Sequence, residues 1–201
     1  MTELFSLLIG YLCGCFLTAD VVARAFAHKS VFQIGTGNPG MANVMARVGK
    51  KAGFLVLAGD IIKTLLAFLI TWLLYGRSIS DSILWSGLGV LLGHNWPFWH
   101  AFKGGKGVTV TCTWLIIAVP VWGALSCIAG GAVVLISGYL PLGAIVLAWL
   151  GTVSAFATRG AEAGIFFAVA ALIMTIRHFP GLCGMVRGTE PRHFHHPHSH
   201  S

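Results

Sequence analysis

Charge is scarce in this chain. Only 9% of its 201 residues are Asp, Glu, Lys or Arg, where a soluble domain carries roughly 25%. Hydrophobic residues make up 56%, and the mean hydropathy is +0.83. That composition excludes a soluble globular core and predicts one polytopic membrane domain. Other absences narrow the field. The first apolar run starts after Glu3 with no basic segment before it and no small-residue cleavage pattern, so no removable signal peptide is expected. The five cysteines lack metal or disulfide spacing: Cys13, Cys15, Cys112 and Cys127 sit inside apolar runs, and Cys183 stands alone. The phosphate-loop pattern Gly-x-x-x-x-Gly-Lys-Ser/Thr is missing. A formal net charge of +7 does not make a nucleic-acid face, because the basic residues collect at the ends of apolar runs. That placement suits membrane orientation and anionic ligands.

What is present is a succession of apolar runs, set against the roughly 20 residues that one bilayer crossing takes. They fall at about 4–23, 54–75, 83–98, 108–119, 121–137, 142–157 and 163–176. The fourth is short for an upright crossing and Pro120 stops it, which predicts a tilted or partial helix. Gly138-Tyr139-Leu140-Pro141 breaks the chain after the fifth run, and Arg159-Gly160-Ala161-Glu162 separates the last two. Small residues are frequent in these last helices, as close packing in lipid favours. The expected fold is all-α and integral to the membrane, with seven transmembrane helices, some short or tilted. Residues 1–190 would form one domain and 191–201 a flexible His-rich tail.

Basic residues set the orientation. Ten of the thirteen Lys and Arg lie after the first run (Arg24, Lys29, Arg47, Lys50, Lys51), between the third and fourth (Lys103, Lys106) or in the tail (Arg177, Arg187, Arg192). The other side holds only Arg77 and Arg159, the latter next to a short polar turn like that at 77–81, while Lys63 lies within a run. The positive-inside rule then places the N-terminus outside and the C-terminus in the cytoplasm. The polar stretches 35–47, 94–107 and 177–190 would share the cytoplasmic face.

Three stretches carry candidate chemistry. Phe102-Lys103-Gly104-Gly105-Lys106-Gly107-Val108 sets two lysines and three glycines between apolar runs. Glycines let main-chain N–H groups converge on a ligand, and a helix starting near Gly107 would add its positive end, a combination that suits a phosphate. A cationic turn that only orients the protein is the plainer reading. Gly35-Thr36-Gly37-Asn38-Pro39-Gly40 cannot be helical, whereas 41–48 can, with Asn43 and Arg47 four apart on one face. Asp60 and Lys63, three apart in an apolar run, read as a structural ion pair or a functional one, since each costs about 2.5–3.5 kcal/mol to insert. His94 reads either as ligand-facing or as an interfacial histidine satisfied by backbone. Asp20, near the end of the first run, reaches toward the interface. Pro180, Gly181 and Gly184 argue against a helix near the C-terminus.

At these residues the chain resembles the acyl-phosphate-dependent glycerol-3-phosphate acyltransferases of bacteria (PlsY-type), small enzymes with seven transmembrane helices. Gly35-Thr36-Gly37-Asn38-Pro39-Gly40-Met41-Ala42-Asn43-Val44-Met45-Ala46-Arg47 is similar to the family's Gly-Ser-Gly-Asn-x-Gly-Ala-Thr-Asn-Val-x-Arg. Leu92-Gly93-His94, followed by Phe102 to Val108, resembles its second motif, and Asp60 and Lys63 also fit. Four departures stand out. Thr36 takes the place of a serine, and the arginine comes one residue late. In the third motif Arg177, His178, Gly188 and Glu190 remain, but Gly181 and Gly184 replace an asparagine and an arginine. A serine-bearing loop of the family is here Gly138-Tyr139-Leu140-Pro141-Leu142-Gly143.

The resemblance implies transfer of a fatty acyl group from acyl phosphate to the 1-hydroxyl of glycerol 3-phosphate, giving lysophosphatidic acid and phosphate. Lys103, Lys106 and the N–H groups of Gly104, Gly105 and Gly107 would hold one phosphate and Arg47 another. Thr36, Asn38 and Asn43 would orient the hydroxyl or stabilise the oxyanion. His178 is a candidate base, although transfer aided by the substrate's own phosphate needs none. Asp60, Lys63 and His94 would support the site, and Glu190 would pin the tail to an arginine or lysine. The pattern calls for no cofactor and no metal. It implies membrane lipid and two phosphorylated substrates as partners, no nucleic acid, and a multi-pass place in the bacterial plasma (inner) membrane with the active face cytoplasmic. The departures leave a catalytically impaired paralogue as one alternative. A non-enzymatic carrier or binding protein for a phosphorylated solute is another, though no inverted repeat supports a carrier.

Overall fold

The computed structural model describes residues 1–75 and 79–192. Among these, regular structure is wholly helical, and the chain divides into two compact units, Met1–Ala118 and the part from Val119 onward. Helical stretches long and apolar enough to cross a membrane are Thr2–Ala27, Lys50–Tyr75, Pro120–Ser137 and Leu140–Val186. Large apolar side chains such as Ile62, Leu73, Ile136 and Ile176 point outward from them. In lipid every backbone polar group must be satisfied within the chain, which leaves the helix as the solution for such runs. Arg77 and the His-rich stretch 193–200 lie outside the described residues.

The first unit contains α1 (Thr2–Cys15), α2 (Thr18–Ala27), α3 (Met41–Arg47), α4 (Lys50–Tyr75), α5 (Ile79–Asn95) and α6 (Val108–Ala118), with 3₁₀ turns at Val31–Gln33 and Phe98–His100. The run expected as one helix over 4–23 is broken at Phe16 and Leu17, whose backbone leaves the helical region (ψ 107° and 88°). Neither residue is a helix breaker. The carbonyls released there are taken up from elsewhere: Trp99 Nε1 donates to Cys15 O at 2.9 Å, and Lys63 Nζ donates to Phe16 O at 2.9 Å.

α1 and α5 run parallel with their backbones touching. A Cβ on Gly10 or Gly14 would collide with the backbone of Ser86 or Val90, and one on Gly89 or Gly93 with that of Leu7 or Tyr11. Two small-xxx-small patterns therefore interlock, the arrangement by which lipid-embedded helices gain close van der Waals contact. Beside them Ala19, Val22, Ala23, Val31, Ile34, Val44, Ala52 and Val56 form a buried cluster under the loop between α2 and α3.

The second unit contains α7 (Pro120–Ser137) and α8 (Leu140–Val186). Gly138 caps α7 at φ 78°, and Pro141 lies in the first turn of α8, as the Gly-Tyr-Leu-Pro string predicts. α8 is not straight. Gly160 leaves the helical region (φ 85°, ψ −174°), and Trp149 Nε1 lies 3.3 Å from Thr175 Oγ1. Twenty-six residues of straight helix would hold those groups roughly 39 Å apart, so the two arms fold back at Gly160. Contrary to expectation, the second arm stays helical through Pro180, Gly181 and Gly184. Pro180 forfeits one backbone bond, but Gly181 leaves room for Pro141 to pack against that turn.

Candidate active site

The loop after α2 is built by two side chains. Asp20 Oδ1 accepts from Ser30 Oγ (2.7 Å) and Val31 N (2.9 Å), and Oδ2 accepts from Arg24 Nε (2.7 Å). A capping box between Ser30 and Gln33 closes the 3₁₀ turn. Asn43 then clamps the next stretch: its Nδ2 donates to Ile34 O (2.9 Å) and Asn38 O (3.1 Å), and its Oδ1 accepts from Thr36 N (3.0 Å). Gly35 turns at φ 55°, and a Cβ there would stand 2.7 Å from Cγ and 3.2 Å from Nε of Arg47. The structure thus brings Thr36, Asn38, Asn43 and Arg47 together. Thr36 and Arg47 are exposed, and Asn38 N donates to Thr36 Oγ1 at 3.4 Å. Asn43 departs from expectation. It is buried, and both ends of its amide serve the loop backbone, so it shapes the loop rather than offering its amide to a hydroxyl.

The glycine–lysine turn folds back onto the end of α5. Ala101 and Phe102 take left-handed conformations (φ 51° and 57°) to reverse the chain. Gly105 N then donates to His94 O at 2.9 Å. A Cβ on Gly104 would stand 2.6 Å from both Asn95 O and Pro97 Cδ, and one on Gly105 would strike the His94 ring at Nε2. Gly107 at φ 82° leads into α6, whose first residue, Val108, is where the sequence places it. The glycines are thus required by close approach. The expectation that the Gly105 N–H serves a phosphate is corrected, since that N–H caps α5. Lys103 is exposed and Lys106 half-buried. Asn95, wholly buried beside Gly107, makes no side-chain hydrogen bond among the described residues.

Behind the turn lies a buried polar cluster. Lys63 Nζ stands 2.8 Å from Asp60 Oδ1, 2.9 Å from Phe16 O and 2.9 Å from His94 Nδ1. Thr18 Oγ1 donates to Asp60 Oδ1 at 3.4 Å. His94 is only 4% exposed; it is not satisfied by backbone alone, because its ring meets a lysine. The expected Asp60–Lys63 ion pair is present.

In the second unit His178 is buried on α8, and its Nδ1 stands 2.9 Å from Met174 O. A carbonyl only accepts, so Nδ1 carries a proton toward it. Beyond α8, Thr189 N (2.8 Å) and Glu190 N (3.1 Å) both donate to Gly184 O. The Glu190 carboxylate lies on the face opened by the two glycines: Cβ atoms at 181 and 184 would be 3.2 Å from Oε1 and Oε2 respectively. The expected pairing of Glu190 with an arginine or lysine is not found among the described residues. Backbone bonds and the small helix face place it instead. Arg192 closes the described chain, with Nε 3.0 Å from Tyr139 Oη and its guanidinium 5.3 Å from that ring.

Sequence reasoning missed Asp20 as the loop's anchor and the interlocked glycines of α1 and α5. The signals were a carboxylate near the end of an apolar helix, followed four residues on by Arg24, and glycines repeated at intervals of four.

These features accompany a close likeness to known proteins. The sequence model of the family described as glycerol-3-phosphate acyltransferase matches residues 4–188. Glycerol-3-phosphate acyltransferase 1 of Lactobacillus johnsonii is 41% identical over 174 residues, covering 87% of this chain and 84% of that protein. The glycerol-3-phosphate acyltransferase of Laribacter hongkongensis is 38% identical over 199 residues, covering 96% of each chain. Among solved structures, PlsY, an integral membrane glycerol 3-phosphate acyltransferase, superposes in its glycerol 3-phosphate form with a TM-score of 0.85 at 26% identity, over 96% of both chains. Its lysophosphatidic acid form superposes at 0.83. The chain therefore belongs to the glycerol-3-phosphate acyltransferase family.

Proposed function

We propose that this membrane enzyme moves a fatty acyl group from acyl phosphate to the 1-hydroxyl of glycerol 3-phosphate, in phospholipid synthesis. The acyl carbon–oxygen bond to phosphate breaks, an ester to glycerol forms, and the hydroxyl proton leaves on the released phosphate. The products are lysophosphatidic acid and inorganic phosphate. The observation that carries the reading is the lysine-bearing turn at 102–108, held on a backbone that only glycines fit, in a chain of this family. Lys103, Lys106 and the start of α6 hold one phosphate there. Arg47, laid over Gly35, takes the other with a planar fork of donors. Thr36 and Asn38 orient the hydroxyl, while Asn43 keeps their loop in shape. His178 is the candidate base of the second unit, though the donor's phosphate oxygens suffice to accept the proton. Alignment of two held reactants then supplies much of the acceleration.

The same reading completes the topology. The helices of residues 1–190 form one domain with seven crossings, the two arms of α8 counting separately. Its N-terminus lies outside and its motifs face the cytoplasm from the bacterial inner membrane. The charge distribution supports this.

Purified protein supplied with acyl phosphate and glycerol 3-phosphate is expected to release lysophosphatidic acid. Lys106→Ala should raise the KM for one phosphorylated substrate, and Gly105→Ala should lower kcat/KM about 100-fold, because a displacement near 1 Å suffices for that. Wild-type kinetics from both inserted variants would reduce the turn to a topology signal.

A further inference from the structure

Lys63 does more than neutralise Asp60. An ammonium has three N–H donors and no acceptor, and Nζ has three partners: Asp60 Oδ1 at 2.8 Å, Phe16 O at 2.9 Å and His94 Nδ1 at 2.9 Å. A carboxylate and a carbonyl can only accept, so two donors are committed to α4 and to the break between α1 and α2. The third points at His94 Nδ1, which must then present its lone pair. That fixes the hydrogen of the neutral imidazole on Nε2. A second cation beside Nζ is costly in so buried a place, which keeps the ring neutral. Nε2 is the ring atom that lies against Gly105, the position where a Cβ would strike it. The backbone carbonyl of His94 meets the same glycine through Gly105 N at 2.9 Å.

We infer that Lys63 is a positioning residue for the glycine–lysine turn: it locks His94 as the Nε2–H tautomer and so turns a hydrogen-bond donor, rather than a lone pair, toward Gly105. A lone pair there would face a stretch whose task is to accept an anion. The inference rests on the reading of residues 102–108 as phosphate-binding.

The test combines a spectrum with kinetics. Imidazole-¹⁵N-labelled protein in detergent or nanodiscs is compared with a His94→Gln variant, which identifies the His94 signals. The wild type is expected to show protonated Nε2 and unprotonated Nδ1. In Lys63→Met that signature should be lost, and the KM for the substrate that Lys106→Ala weakens should rise about tenfold, the scale of one hydrogen bond to a charged group, with kcat less affected. Lys63→Arg should restore both. If Lys63→Met leaves Asp60 unpaired and the protein does not insert, the Asp60→Asn/Lys63→Met double variant removes both charges together and is read in the same way. A wild-type ring protonated on Nδ1, or an altered tautomer with unchanged KM, overturns the inference. If Lys106→Ala has no effect on either KM, the phosphate reading fails on its own, whatever the tautomer of His94.

Discussion

The two units treat their few polar groups differently. In the first, polar side chains reach across long stretches of sequence: Lys63 to Phe16 and His94, Thr18 to Asp60, Tyr11 to Trp96, and Trp99 to Cys15. In the second, Trp149 meets Thr175, Ser126 meets Ser154 and Arg192 meets Tyr139. Its helix hydroxyls, like Ser6, Thr64, Thr71, Ser86 and Thr113 of the first unit, bond to their own helix four residues back. Ser126, Ser137, Thr152, Ser154, Thr158 and Thr175 all donate to such carbonyls, and His178 does the same with Met174. Both solutions satisfy the group, as a membrane interior demands. Only the bond across segments, which in the first unit ends on carbonyls released at a helix break, also fixes one segment against another. A bond to the preceding turn leaves a helix free to slide or rotate; a bond to a carbonyl released at a helix break does not. The glycines differ by position rather than by unit, since Gly130 of α7 and Gly143 of α8 meet each other's backbone as those of α1 and α5 do. Gly131 of α7, by contrast, faces open space.

That contrast can be broken or sharpened by substitution. The largest effect is expected from Gly14→Ala, where the new Cβ meets Val90 backbone that cannot step aside. The loss should exceed the roughly 1–3 kcal/mol of ordinary overpacking, whereas Gly131→Ala should be neutral or stabilising by up to about 1 kcal/mol. Thermal melts in detergent compare the two, and equal melting temperatures would end the distinction. Next comes Asn43→Ala, which strands three loop partners. A cost of about 1–3 kcal/mol is expected for each group left buried and unpaired, together with a lower kcat/KM, read from melts and initial rates.

A smaller change is expected from Gly181→Asn. The replacement restores the residue type of the family pattern, but its Cβ would lie 2.6 Å from Pro141 Cγ. About 1–3 kcal/mol of destabilisation should offset any gained contact; a rise in kcat/KM without loss of stability would show that the tail touches substrate. The smallest effect belongs to truncation after Arg192. That residue already ends on Tyr139, so activity and melting temperature should be unchanged, and a loss of activity in inserted protein would give the His-rich tail a role.

Much of the candidate site was legible because its chemistry demands unusual residues. Lysines and glycines between apolar runs, an arginine one helical turn from an asparagine, and an ion pair inside a membrane helix are costly unless used. What those residues do to one another was not legible. Asn43 looked like a substrate ligand, yet its amide is complete once the loop folds around it. Gly105 looked like a phosphate donor, yet its N–H is the cap that α5 needs. Glu190 looked like half of an ion pair, yet two glycines on α8 make its place. Each outcome depends on a partner several residues to a full segment away, and spacing along the chain does not report that partner.

By itself the sequence determined the helical membrane fold, because long runs without charge leave the backbone no other way to satisfy its polar groups in lipid. It also determined the break at Gly138 to Pro141, the start of α6 after Gly107 and the helix over α3, all of which follow from local conformational preference. Tertiary structure alone decided the break at Phe16 and Leu17 and the persistence of α8 through Pro180. At the first, Lys63 and Trp99 take up carbonyls that a continuous helix would have bonded; at the second, Pro141 packs where Gly181 leaves room. A local preference of about 1–3 kcal/mol gives way when distant groups offer the backbone as much.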